Sequence, residues 1–196
     1  MKGKRKPSGA AVIRPDVTQS LYRALFEEWA ETGYSAISLE RVATRAGAGK
    51  AAIYRRWPTK LQFATEALQS AGIALSDFSD HGSLTADLQA YLGTSHVAMR
   101  HRLIRRILPD IIAQRIRSPE LSSALDLLAS ERRQQGNLML DRAIARGELR
   151  PDLDRELALD VIPAFLFMRM IVRGQRVSRA ELERQIRAVA AALAAC

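Results

Sequence analysis

Residues 38–60, SLERVATRAGAGKAAIYRRWPTK, read as two short helices around a tight glycine turn. Ser38 is a good helix cap, and Leu39, Val42, Ala43 and Ala46 give the first helix its inner face. Gly47-Ala48-Gly49 ends that helix. Gly47 and Gly49 can adopt positive φ at little cost, so two helices can cross steeply within three residues. The next helix runs from Lys50 to about Trp57. Ile53 and Trp57, four apart, fall on the side that can pack against Val42, Trp29 and Phe26. Lys50, Ala51, Tyr54 and Arg55 then face outward together.

That outward face suits a duplex reader. Ala51 and Ala52 are small, so the backbone can approach base edges closely. Lys50 and Arg55 can donate to guanine O6 and N7, and the Tyr54 hydroxyl suits a phosphate oxygen. Arg56 sits toward the flank, better placed for backbone contact. Pro58 suits the first turn of a following helix, where Lys60 would add its ammonium to helix-end amides as an anion site. A surface helix with ordinary basic residues explains a glycine turn alone. It does not explain the turn, small residues, aromatic, paired arginines and Pro-x-Lys together.

Outward from this segment, the pattern is all-α, about nine helices. Residues 1–15 mix Lys, Arg, Gly and Pro without periodicity and read as a flexible basic arm. Lys2, Lys4, Arg5 and Lys6 there can reach an adjacent groove or serve only solubility. Val17, Leu21, Tyr22, Leu25, Phe26 and Trp29 share one face of a first helix over about 16–32, stopped by Gly33. A fourth helix has Pro58 in its first turn, Thr59 or the preceding residue near its cap, and reaches the mid-70s. Later helices are expected near 84–101, 103–116, 119–146, 154–173 and 178–195. The breakers between them are short: Ser118-Pro119, Gly147 with Pro151, and Gly174. The organisation is therefore an arm at 1–15, a helix-turn-helix domain at 16–60, and a larger helical domain at 61–196.

Charge follows that division. Residues 1–60 hold 12 Lys and Arg against 5 Asp and Glu, while the other 136 hold 18 against 16. All five lysines lie in the first 60 positions. A polyanion bound at the N-terminal end is the simplest reading, with RNA or an anionic lipid surface as alternatives. No apolar run approaches the ~18 residues of a membrane span, so a cytoplasmic protein with no membrane partner is expected. The single cysteine, Cys196, rules out a disulfide framework. His81, His96 and His101 have no ligand-spaced cysteine or carboxylate cluster, and no phosphate loop or nucleophile elbow appears. Neither a metal, a cofactor nor an enzymatic activity is expected.

Residues 16–70 resemble the N-terminal domain of TetR-type transcriptional repressors. The usual pattern is a first helix ending Phe-x-x-x-Gly-Tyr, then Thr/Ser-x-x-x-Ile/Val-Ala-x-x-Ala-Gly-Val-Ser-x-Gly-x-Leu-Tyr-x-x-Phe-x-x-Lys. Gly33-Tyr34, Ser38, Val42-Ala43, Ala46-Gly47, Ile53-Tyr54, Trp57 and Lys60 match it. Ala48, Gly49, Ala51 and Ala52 depart from the usual Val, Ser, Gly and Thr, which removes hydroxyls at 49 and 52; Arg55 and Arg56 are placed to compensate. The resemblance implies DNA contact by Ser38, Lys50, Ala51, Tyr54, Arg55, Arg56 and Lys60. It also implies a homodimer on a palindromic operator and a small-molecule effector, which makes 61–196 the effector-binding and dimerisation domain.

In the second half, residues 154–173 are apolar almost all round, which calls for partners on two sides. The last helix carries Leu182, Ile186, Val189 and Leu193, spaced 4-3-4 like a bundle seam. The expected dimer interface therefore joins Leu157, Val161 and Phe165 to those four, with an intramolecular core as the alternative. His96, Met99, Met139, Phe165 and Met168 are the candidates for an apolar effector pocket, although each also suits plain core. The fourth helix, shared by both domains, is the expected lever. The resulting expectation is a homodimeric one-component repressor released from its operator by an effector. The alternatives are a constitutive or partner-controlled DNA-binding regulator, and a basic helical module for RNA or anionic lipid.

Overall fold

The computed structural model describes residues 15–74 and 77–196. Among them the architecture is wholly helical. The order is α1 (Pro15–Thr32), a 3-10 turn (Tyr34–Ala36), α2 (Leu39–Arg45), α3 (Lys50–Arg56), α4 (Lys60–Ala74), α5 (Leu84–Arg100), α6 (Arg102–Arg117), α7 (Pro119–Ala145), α8 (Arg155–Phe167), which continues as a π turn (Met168–Val172), and α9 (Arg179–Leu193). The basic arm falls almost entirely outside the described residues, so the reading of Lys2, Lys4, Arg5 and Lys6 does too.

Local chemistry places the boundaries. Ser38, Ser83, Asp154 and Ser178 each accept a backbone N–H in the first turn of the helix that follows. At Ser178 the bond is reciprocated: Glu181 accepts from the Ser178 N–H at 2.9 Å, completing a capping box. α4 starts at Lys60, because Thr59 is the cap. Its hydroxyl accepts from the Gln62 N–H while the Gln62 side chain accepts from the Thr59 N–H. Pro58 therefore precedes the helix.

Two cores organise the chain. The first gathers Leu21, Leu25 and Trp29 of α1, Val42 and Ala43 of α2, Ile53 and Trp57, and Phe63, Ala64 and Ala67 of α4. Trp57 stacks on Phe63 with ring centroids 4.2 Å apart. Packing is thus continuous across residue 60, and the expected boundary there has no gap. The second core joins Leu88, Tyr91 and Leu92 of α5, Met139 and Leu140 of α7, and Leu159, Ile162 and Leu166 of α8 to α9. α7 spans both cores, with Leu121 and Leu125 in the first and Met139, Leu140 and Ala143 in the second.

The second core corrects the expected dimer seam. Leu182, Ile186, Val189 and Leu193 are all buried within the protomer, against α5 and α8. α9 has one apolar stripe, and the chain's own helices consume it. α8 is different. Ala158, Leu159, Ile162 and Leu166 turn inward, as does Met170 of the π turn. Leu157, Phe165, Met168 and Val172 remain exposed, and Val161 is half-buried.

The fold also joins the N-terminal unit to the rest through α6. Leu103, Ile107, Asp110, Ile111 and Gln114 line its inner face at helical spacing. Asp110 is the only acid in that helix and follows Pro109. Its Oδ2 accepts from the Trp29 indole N–H at 2.6 Å and from the Tyr34 backbone N–H at 2.8 Å. Gln114 Nε2 donates to Ser35 Oγ at 3.3 Å. Gly33, at φ +77°, makes the turn that brings the Tyr34 N–H to this carboxylate. α6 therefore shares the role of link with α4.

Candidate nucleic-acid interface

α2 and α3 are joined by a turn in which Gly47 takes φ +65°. Gly49 does not need positive φ. It lies extended at φ −74° as the residue before α3 and offers no side-chain cap. α2 is held against α1 by charge: Glu28, almost fully buried, accepts from Arg41 Nε at 2.6 Å and pairs with Arg45 at 3.5 Å. Arg45 also bonds Glu31 at 2.7 Å. α3 is anchored at its back by Ile53 and Trp57, which are 0% and 1% exposed. The Trp57 indole donates to Glu66 at 2.7 Å.

With that side fixed, Lys50, Ala51, Tyr54 and Arg55 face solvent together, as expected from the sequence. Arg55 has no hydrogen bond or ion pair among the described residues. The Lys50 ammonium lies 5.5 Å from the Tyr54 ring centroid and pairs with Glu40. The hydrogen bond from Lys50, helped by Ser38, holds the Glu40 carboxyl down to about 2, and Glu40 in turn raises the Lys50 ammonium. Lys50 is thus fully cationic, with its charge partly occupied by Glu40. Ser38 is engaged as well: its hydroxyl accepts from the Arg41 N–H at 3.3 Å and donates to Glu40 at 3.1 Å.

Arg56 and Lys60 do not stand free as phosphate clamps. Arg56 donates to Thr18 Oγ1 and to Glu66, both at 2.6 Å, and lies over the Trp57 ring. Glu66 also accepts from the Tyr22 hydroxyl at 2.6 Å. Burial raises its pKa, but the bonds from Tyr22, Trp57 and Arg56 outweigh this and leave it below the ordinary glutamate value. The Lys60 ammonium donates to the carbonyls of Tyr34 and Ser35 at 2.9 and 3.0 Å, and burial pushes its pKa down. Both cations tie the recognition unit together. Contact with phosphate would require each to give up these bonds.

The expected effector residues do not meet in one pocket. His96 is buried, and its Nε2–H donates to the Val177 carbonyl at 2.8 Å. Met139 is fully buried, and Met99 packs beside the second core. Phe165 and Met168 instead border an open cavity of about 390 Å³ with Arg169, Arg173, Gln185 and Ala188. Asp110, Glu28 and Glu66 were not foreseen. Only Asp110 carried a signal, as the lone acid in an arginine-rich helix.

A short, buried-backed helix presenting cations and a tyrosine beside a capped partner helix defines a helix-turn-helix DNA-binding protein. Residues 21–67 match the model of bacterial regulatory proteins of the tetR family, and residues 78–189 match the tetracyclin repressor-like C-terminal domain. The chain is 34% identical over 144 residues to the DNA-binding transcriptional repressor TetR of Mycobacteroides abscessus, covering 72% of this chain and 75% of that protein. Its fold superposes on the TetR family transcription regulator SCO0332 with a TM-score of 0.68 at 26% identity, over 92% of this chain and 99% of that one. It superposes likewise on FadR of Bacillus subtilis, solved in complex with stearoyl-CoA, with a TM-score of 0.70 at 17% identity, over 90% and 97%. The chain belongs to the TetR family: it is a DNA-binding transcriptional regulator and not an enzyme. No helix among the described residues is long and apolar enough to cross a membrane.

Proposed function

We propose that the chain acts as a homodimeric repressor. Its two α3 helices enter successive major grooves, about 34 Å apart, on an inverted-repeat operator. A small molecule held by the C-terminal helices shifts the pair to a spacing that no longer fits. The observation that carries this reading is the face of Lys50, Ala51, Tyr54 and Arg55, exposed on a helix whose back is locked into the first core. Base reading falls to Lys50 and Arg55, and phosphate contact to Tyr54.

Dimerisation is supported by the outer face of α8 and its π turn, where Leu157, Phe165, Met168 and Val172 have nothing over them among the described residues. Each is about half exposed, so covering it is worth ~1 kcal/mol, and eight across a twofold axis give about 8 kcal/mol. That is comparable to the ~4–15 kcal/mol cost of association, so neighbouring residues must add to the interface. Effector control is supported by analogy with FadR and its bound stearoyl-CoA. A DNA-binding regulator without a small molecule is the second reading, favoured by the filled interior at His96 and Met139.

The test is selection of duplexes from a random pool by the purified protein, followed by sedimentation of the complex. Enrichment of an inverted repeat carrying two chains supports the proposal. A single chain bound without sequence preference, or stronger retention by RNA or anionic vesicles, overturns it.

A further inference from the structure

Arginine is not spread evenly over the C-terminal helices. Arg100 ends α5, Arg105 lies in the first turn of α6, and Arg176 lies in the connection to α9. With Met170 as an almost fully buried floor, these three line a cavity of about 190 Å³. Arg105 is held in place by donating to the Gly174 carbonyl at 2.8 Å. Gly174 has φ +64°, and a Cβ there would stand 3.8 Å from the Arg105 guanidinium. Among the described residues, Arg100 and Arg176 have no hydrogen bond or ion pair, and Arg105 pairs with no carboxylate. No carboxylate lines the cavity among the described residues.

All three arginines are exposed, and their cationic heads share one concavity with no carboxylate in its lining, an arrangement that favours an anion between them. The N-terminus of α6 adds partial positive charge at the same corner. A guanidinium fork matches a carboxylate or phosphate with two parallel hydrogen bonds. We propose that this cavity binds a small molecule through a carboxylate or phosphate group, and that occupancy acts on the DNA-binding unit through α6. The second half rests on the regulator reading above. Arg105 shares its helix with Asp110, about 7.5 Å further along the axis, and with Gln114. Those two residues hold Trp29, Tyr34 and Ser35. A ligand that re-aims Arg105 away from Gly174 therefore pulls on the element that positions the α1–α2 connection. Shifts of 1–2 Å in such helices suffice to change the spacing of a paired site.

The test titrates inorganic phosphate and, separately, succinate into the full chain by calorimetry at constant ionic strength. Arg100→Gln and Arg176→Gln are the test variants, since neither side chain has a partner to lose. Arg187→Gln, on exposed α9 surface, controls for net charge. We expect saturable binding of one of the two probes, one per chain, weakened at least tenfold in both test variants and unchanged in the control. The responding probe identifies the headgroup. Absence of saturable binding by either, or equal weakening in Arg187→Gln, overturns the site. With the site occupied, fluorescence anisotropy on a selected duplex should show a several-fold change in Kd that Arg100→Gln abolishes. An unchanged Kd overturns the coupling through α6. Failure to bind any duplex overturns the regulator reading, while the calorimetry still reports on the cavity.

Discussion

Replacing Asp110 with alanine should loosen the attachment of the DNA-binding unit to α6. The carboxylate accepts from the Trp29 indole at 2.6 Å and from the Tyr34 N–H at 2.8 Å, and Trp29 is only 1% exposed. Hydrogen bonds to a charged group are worth about 1.5–3 kcal/mol each. Asp110 is itself partly solvated, so the lower figure applies to both and the loss is about 3 kcal/mol. Alanine recovers about 0.6 kcal/mol through better helix propensity, leaving a net cost of roughly 2–3 kcal/mol. For a chain of this size that lowers Tm by about 4–12 °C. Asp110→Asn keeps one acceptor oxygen and should lose about half as much. The assay is denaturant unfolding at fixed protein concentration, followed by circular dichroism and by tryptophan emission, to which Trp29 and Trp57 are the only contributors. If Asp110→Ala unfolds within 0.5 kcal/mol of the parent chain, α6 does not hold the recognition unit through this carboxylate.

Four further outcomes follow from the same geometry. Arg55→Ala should weaken operator binding by ~1–3 kcal/mol in a base-dependent way, and an unaltered sequence preference would remove Arg55 from the readers. Glu40→Gln frees Lys50 and removes an anion from the DNA-facing side. Its Kd for the operator should fall several-fold at low salt, whereas a weaker complex would show that Glu40 is needed to aim Lys50. In α7, a Cβ at Gly136 would lie 2.5 Å from Leu159 Cδ2, so Gly136→Leu should destabilise the second core by about 1–3 kcal/mol in denaturant unfolding. Glu66 has a folded pKa below its unfolded value of about 4.3. Its contribution is complete above that value and is lost as pH falls through the lower folded one. Glu66→Gln should therefore lower stability at neutral pH and flatten the acid limb of the stability curve; an unchanged limb would contradict the ion pair with Arg56.

The helices were legible because each carries its own signals. Ser38 caps, Gly33, Gly47, Gly147 and Gly174 stop, and apolar spacing marks the inner faces, so most ends fall within two residues of expectation. What lies across a helix was less legible. The stripe of Leu182, Ile186, Val189 and Leu193 has the same spacing whether it meets the chain's own α5 and α8 or a second chain. The outward face of α3 was correct for Lys50, Ala51, Tyr54 and Arg55, because periodicity alone sets it. Periodicity does not reveal the intramolecular bonds of Arg56 and Lys60, whose partners arrive from Thr18 and Glu66 and from the Tyr34 and Ser35 carbonyls, 10 to 38 residues away. Long side chains reach past the face their helix assigns them, and no local pattern records where they end.

Paired α3 helices reading an inverted repeat can be followed by fluorescence anisotropy of the purified protein against a selected inverted repeat, its isolated half-site and a scrambled duplex, each at several salt concentrations. Tight binding of two chains to the repeat, sharply weaker binding to the half-site, and a further loss on scrambling are the expected result. Equal affinity for all three duplexes, differing only with ionic strength, would contradict it.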